Sequence, residues 1–132
     1  MLEGSCLCGS IRYQIDGELG PAMLCHCQKC RKSNGAAYAV NALLEAANFT
    51  LLGSSATLKA YESSAGVKRF FCSGCGTPLY SERDTLPGMI RLRVGSLDTD
   101  VMIEKQAHIY VASKACWDDI TDSIPQYDER PG

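Results

Sequence analysis

Polar and apolar residues alternate over Ser10-Ile11-Arg12-Tyr13-Gln14-Ile15 and then meet Asp16-Gly17, the pattern of a half-buried strand ending in a turn. The same signal recurs at short intervals. Ala36 to Leu43 alternates at Tyr38 and Val40 between turn residues and reads as a strand. Asn48 to Leu52 stops at Gly53-Ser54-Ser55, and Thr57 to Glu62 stops at Ser63-Ser64-Ala65-Gly66, giving two further strands with turn punctuation. Val67 to Phe71 runs straight into Cys72, Pro78 to Ser81 leads away from Cys75, and Met89 to Val94 alternates before Gly95. Ala107 to Val111 is the last candidate strand. From Trp117 to Pro131 the pattern allows at most a turn of helix, followed by irregular chain.

Short strands about ten residues apart with very little helix predict an all-β domain of short antiparallel strands. At 132 residues the chain is long enough for one domain over 1–132, burying about two-thirds of the surface its unfolded form exposes. Hydrophobic residues make up 45% and charged residues 21%, with a formal net charge of −2. Lys and Arg are scattered among acids, so no nucleic-acid partner is expected. Met1 to Cys6 has neither a basic nor an apolar leader region, and no apolar run approaches the roughly 20 residues of a membrane span, so a cytoplasmic location is expected.

The chemistry is in the cysteines. Seven of the eight fall into three clusters: Cys6 with Cys8, Cys25 with Cys27 and Cys30, and Cys72 with Cys75. Cys116 stands alone and reads as a small buried hydrophobe. Disulfides fit poorly, because the chain can build its own core, shows no leader, and a CxC spacing strains ring closure between neighbouring thiols. Metal binding fits better. Cys72-Ser73-Gly74-Cys75-Gly76 is a CxxC knuckle whose small residues let backbone N–H groups turn toward the sulfurs. It needs two more ligands, and spacing offers either Cys6 with Cys8 or Cys27 with Cys30; both choices leave a group of three. A tripod of Cys25, Cys27 and Cys30 on a strand end and its following turn makes four plus three the simpler partition. Three thiolates fill three corners of a tetrahedral zinc and leave the fourth for water or substrate.

GSCLCGSIRY at Gly4 to Tyr13, CHCQKCRKSNG at Cys25 to Gly35, FFCSGCGTPLY at Phe70 to Tyr80 and HIY with SKACW at His108 to Trp117 resemble, in order, the glutathione-dependent formaldehyde-activating enzyme family that includes centromere protein V. The resemblance implies a zinc-stabilised β-tent domain with Cys6, Cys8, Cys72 and Cys75 on a structural zinc. It places a second zinc on Cys25, Cys27 and Cys30. It also implies a carbon–sulfur lyase that adds the thiol of glutathione to formaldehyde, a small aldehyde, or reverses that addition. Lys29 and Arg31, with Lys32, are then candidates to attract a glutathione carboxylate, and His26, between two ligands and pointing away from the metal, is a candidate proton shuttle or hydrogen-bond donor behind the ligands. His108 reads first as a satisfied core or edge histidine, while Arg91 and Arg93, on one strand face, are read as facing solvent rather than a pocket. The competing reading is a non-catalytic zinc-stabilised binding module on the same fold.

Overall fold

A computed structural model describes residues 1–131. It is mostly β, in two sheets. The smaller has the order β1-β2-β5, built from Leu2–Ser5, Arg12–Ile15 and Phe49–Leu52. The larger has the order β10-β3-β4-β9-β8-β7-β6, built from Lys105–Ile109, Ala22–Cys25, Ala39–Glu45, Met89–Arg93, Pro78–Arg83, Val67–Cys72 and Leu58–Ser64. No helix among the described residues is long and apolar enough to cross a membrane.

The strands read from alternation are present, and three features differ from the expectation. Gln28–Asn34 is a helix, α1, where a turn was expected; it is seven residues long and has no apolar stripe to announce it. It stops at Asn34-Gly35, where Gly35 adopts φ +65° and its N–H donates to the Arg31 carbonyl at 2.8 Å. Second, the strand pairings are antiparallel except one: β10 lies parallel to β3, with His108 opposite Leu24 and Ile109 opposite Cys25. Third, Leu2–Ser5 is a strand whose central glycine hides it from the pattern. Gly4 is there because the Tyr13 ring passes over it, and a Cβ would lie 2.1 Å from Tyr13 Cζ. Tyr13 is fully buried, its hydroxyl 2.6 Å from Ser96 Oγ, which in turn donates to the Arg93 carbonyl at 2.8 Å. Gly4→Ala is therefore expected to cost about 3 kcal/mol, the upper end for overpacking. Denaturant unfolding checks this, and a loss below about 0.5 kcal/mol would mean that the ring moves aside freely.

The main core lies between the sheets. Ile11, Tyr13 and Ile15 pack with Leu44, Leu79, Tyr80, Ile90 and Leu92. Period-2 geometry then decides the other face of the large sheet. Because Leu44, Ile90 and Leu92 face this core, Leu43, Arg91 and Arg93 point the opposite way.

Beyond β10 the chain folds back along that edge strand. The His108 N–H donates to the Pro125 carbonyl, Tyr127 N–H to the His108 carbonyl, and Tyr110 N–H to the Glu129 carbonyl, at 2.8 to 2.9 Å. The tail thus covers the open edge of β10, satisfying backbone groups that would otherwise invite pairing with another chain. Cys116 is exposed rather than buried, since this turn of the tail lies on the surface.

Candidate functional site

The clustered thiols gather into two groups, and the structure contains no disulfide among the described residues. Cys6, Cys8, Cys72 and Cys75 have their sulfurs within 4.8 Å of one another, as do Cys25, Cys27 and Cys30. The zinc-ribbon pairing of Cys27 and Cys30 with the Cys72 knuckle is not formed.

The group of four joins the β1–β2 connection to the β7–β8 connection. Cys6 Sγ lies 3.6 Å from Cys8 Sγ, and Cys8 Sγ 3.8 Å from Cys72 Sγ. The Ile11 N–H donates to Cys6 Sγ at 3.3 Å, Ser10 Oγ lies 3.4 Å from Cys72 Sγ, and Thr77 Oγ1 lies 3.2 Å from Cys75 Sγ. The Ser10 hydroxyl, followed by Thr57, brings Cys72 down to about 5, and Thr77 brings Cys75 down to about 7. Hydrogen bonding to the charged form is what favours thiolates here, the form in which cysteine binds a metal.

The group of three arises where β3 ends and α1 begins. Cys25 is the last residue of β3, Cys27 is the N-cap of α1, and Cys30 sits in its first turn with its N–H donating to Cys27 Sγ at 3.3 Å. One strand end and one helical turn suffice to converge three sulfurs. Arg69 Nη1 donates to Cys30 Sγ at 3.5 Å. Cys30 is held well below the ordinary thiol range by hydrogen bonds from Cys25 and Cys27 and then by Arg69, while Cys25 is pushed up by Cys27 and Cys30 and then by burial. Three sulfurs this close do not all lose their protons unless a cation joins them. This donor set fits a divalent, thiophilic ion.

The three thiols border a cavity of about 530 Å³ on the outer face of the large sheet. Of the basic residues singled out near the tripod, Lys29 lines it, whereas Arg31 and Lys32 do not. Arg91 and Arg93 turn out to face the cavity, with Arg93 only 4% exposed. Arg69, Arg83 and Arg130 complete its cationic lining, and none of the three was singled out by sequence. For Arg69 and Arg83 the missing information is register: Arg69 pairs with Ser81, Ser81 with Arg91, and Val67 with Arg83, so three adjacent strands present these side chains in rows.

His26 points away from the tripod, as its place between two of the converging thiols requires, and it does not line the cavity. It is fully buried, with Nε2 2.8 Å from His108 Nδ1, and His108 Nε2 lies 3.1 Å from both Asp122 carboxylate oxygens. With the Asp122 carboxylate accepting from His108 Nε2–H, His108 Nδ1 is the acceptor and His26 Nε2–H the donor. Burial, then the neighbouring His108, holds His26 below the ordinary imidazole range. His108 is thus a satisfied core residue, and through it the tail is bonded to the segment that carries Cys25 and Cys27.

Comparison with known proteins decides the family. The family model described as glutathione-dependent formaldehyde-activating enzyme matches residues 1–113. This chain belongs to that family. Among relatives, a Halomonas elongata protein carrying the provisional name glutathione-dependent formaldehyde-activating enzyme is 28% identical over 127 residues, covering 91% of this chain and 81% of its own. Proteins of Aspergillus flavus and Aspergillus oryzae with the same provisional name are each 29% identical over 77 residues, covering 57% of this chain and 40% of theirs. The crystal structure of a Rhodobacter sphaeroides protein superposes with a TM-score of 0.64 at 22% identity, covering 75% of this chain and 90% of that one, and shares the fold. Within the formaldehyde-activating family assignment, Asp122 and Arg130 lie beyond the residues matched by the model.

Proposed function

We propose that this chain is a zinc-dependent carbon–sulfur lyase of the formaldehyde-activating type, joining a thiol to a small aldehyde or releasing it. The observation that carries this reading is the placement of three mutually close thiols on the wall of a cavity large enough for a small substrate. A structural zinc needs four closed ligands, and here the four-cysteine group supplies them: Cys6, Cys8, Cys72 and Cys75. Cys25, Cys27 and Cys30 would hold the second zinc on the wall of the cavity, and a site with only three protein ligands keeps a place for water or substrate.

Bound there, zinc supplies an open Lewis-acidic position that lowers the pKa of a thiol, whose free value near about 8.5 leaves it mostly protonated at neutral pH. In the forward direction the substrate S–H bond breaks and its sulfur attacks the aldehyde carbon. The carbonyl π electrons go to oxygen, which takes up a proton, giving a hydroxymethyl thioether when the aldehyde is formaldehyde. The residues of the chain contribute position and charge. Arg69 neutralises charge at Cys30, Lys29 lines the same cavity as the tripod, and the His26–His108–Asp122 series fixes the backbone between Cys25 and Cys27 from behind. Glutathione and formaldehyde are the reactants suggested by the names of the family and of the relatives.

Elemental analysis of the reduced protein tests this reading. About two zincs per chain are expected, one surviving mild chelation and one lost to it but protected by added thiol. The intact protein is also expected to accelerate formation of the hydroxymethyl thiol adduct from formaldehyde. A single zinc, unmoved by chelator or thiol, together with no acceleration for any thiol, would overturn it.

A further inference from the structure

The charge of the cavity runs against the charge of the chain. Asp and Glu outnumber Lys and Arg by 15 to 13, yet six of the cations, Lys29, Arg69, Arg83, Arg91, Arg93 and Arg130, line this one cavity and no Asp or Glu does. Among the described residues none of these cations has a carboxylate within 4.0 Å, the single ion pair being His108 with Asp122. Apart from Arg69, whose Nη1 donates to Cys30 Sγ at 3.5 Å, they have partners that are neutral or distant. Arg93 Nη1 donates to Ser81 Oγ at 3.3 Å and to the Arg91 carbonyl at 3.2 Å, and Arg130 lies over the Tyr110 ring at 5.6 Å. Arg83 Nε is buried with no partner.

Grouping partly buried guanidiniums without counter-charge is unfavourable, both in lost hydration and in mutual repulsion. Burial first, and the neighbouring arginines next, hold Arg83 and Arg91 below the ordinary guanidinium range, Arg91 at about 10. The tripod does not neutralise them, since three thiolates on a divalent zinc carry a formal charge of −1 against six cations. A ligand must supply the rest. The planar guanidinium fork matches the paired oxygens of carboxylate or phosphate.

Glutathione suits this lining poorly. At neutral pH it carries two carboxylates and one ammonium, and the ammonium would enter a cavity with no carboxylate to receive it. The buried acceptor left without a partner in the lining is the neutral Asn41 Oδ1. We propose that the cavity takes a polyanionic ligand, whose carboxylate or phosphate groups together supply about two or more negative charges, and which bears no ammonium. Resting on the lyase reading above for the sulfur, the substrate is then a polyanionic thiol rather than glutathione.

Calorimetric titration of the zinc-loaded full chain tests this. The probes are mercaptosuccinate and 2-mercaptoethyl phosphate as anionic thiols, glutathione and cysteamine as thiols with an ammonium, and succinate and inorganic phosphate as anions without sulfur. At least about tenfold tighter binding of one anionic thiol over glutathione is expected, with cysteamine weakest and affinity falling as salt rises. The better of the two anionic thiols tells carboxylate from phosphate. Arg91→Gln, and independently Arg83→Gln in case the first variant folds poorly, should weaken the anionic thiols and the sulfur-free anions by about tenfold while moving glutathione less. Glutathione binding as tightly as the anionic thiols, or anion binding unmoved by both variants, overturns the proposal even if the protein proves to be a lyase. Conversely, sulfur-free anions binding as well as their thiol counterparts would overturn the role of sulfur and leave the anion cavity standing.

Discussion

Cys72→Ser is expected to abolish the folded state under ordinary conditions, seen as loss of soluble protein and of a cooperative thermal transition. Cys72 is fully buried at the end of β7, and its sulfur lies 3.8 Å from that of Cys8, which is 64 residues away in sequence. The metal proposed there would close a long loop, tying the β1–β2 connection of the small sheet to the β7–β8 connection of the large one. In small zinc domains the free energy of metal binding reaches about 10–16 kcal/mol and is itself folding free energy, more than the roughly 5–15 kcal/mol by which domains are stable. A serine hydroxyl is not deprotonated at neutral pH and is a poor replacement for a thiolate ligand. Strong chelation of the parent protein should reproduce the defect. A Cys72→Ser protein that melts within a few degrees of the parent would show that the four thiols hold no structural metal.

Cys27→Ser is expected to give the opposite result: an intact fold, one zinc fewer per chain, and lyase activity down by about 100-fold or more. Cys27 is partly exposed and caps α1 through its sulfur, which accepts from the Cys30 N–H. Serine is among the best N-cap residues, so the substitution removes a proposed metal ligand without removing the cap. Metal content, circular dichroism and a thiol–formaldehyde adduct assay together check this. Collapse as severe as that of Cys72→Ser would refute the separation into a structural group of four and a reactive group of three. Full activity with one zinc would place the chemistry elsewhere.

How much of this was legible in the chain differs from element to element. Strands such as Arg12–Ile15 and Met89–Arg93 announce themselves because one face is buried and the other is not, so a period of two survives in the residue types. The tripod and the Cys72–Cys75 knuckle were legible because their spacing is local, whereas spacing alone left the knuckle's partners open, since Cys8 lies 64 residues from Cys72. Leu2–Ser5 was hidden because the property that makes it a strand, a glycine flat against Tyr13, is a contact with another strand. Helix α1 was hidden because seven residues made mostly of polar side chains carry no amphipathic signal. The cavity was the least visible part. Arg91 and Arg93 were correctly grouped on one face, but charged residues on a strand ordinarily mean solvent, and only the sheet order reveals that neighbouring strands bring Arg69 and Arg83 beside them. Arg130 and Asp122 reach the site region through a tail with no periodicity to read.

The parallel pairing of β10 with β3 bears on how the protein is made. His26, between two thiols of the tripod, waits for a partner 82 residues further along the chain. At the ribosome's pace of about 5–20 residues per second, that delay is on the order of ten seconds, during which Cys25, Cys27 and Cys30 have emerged but the strand and tail that bury them have not. The nascent tripod is therefore open to oxidation and to stray metals until β10 and the segment that follows it have been made. Recombinant protein should gain zinc and homogeneity when translation proceeds in a reducing, zinc-replete medium, more than when zinc is added after purification.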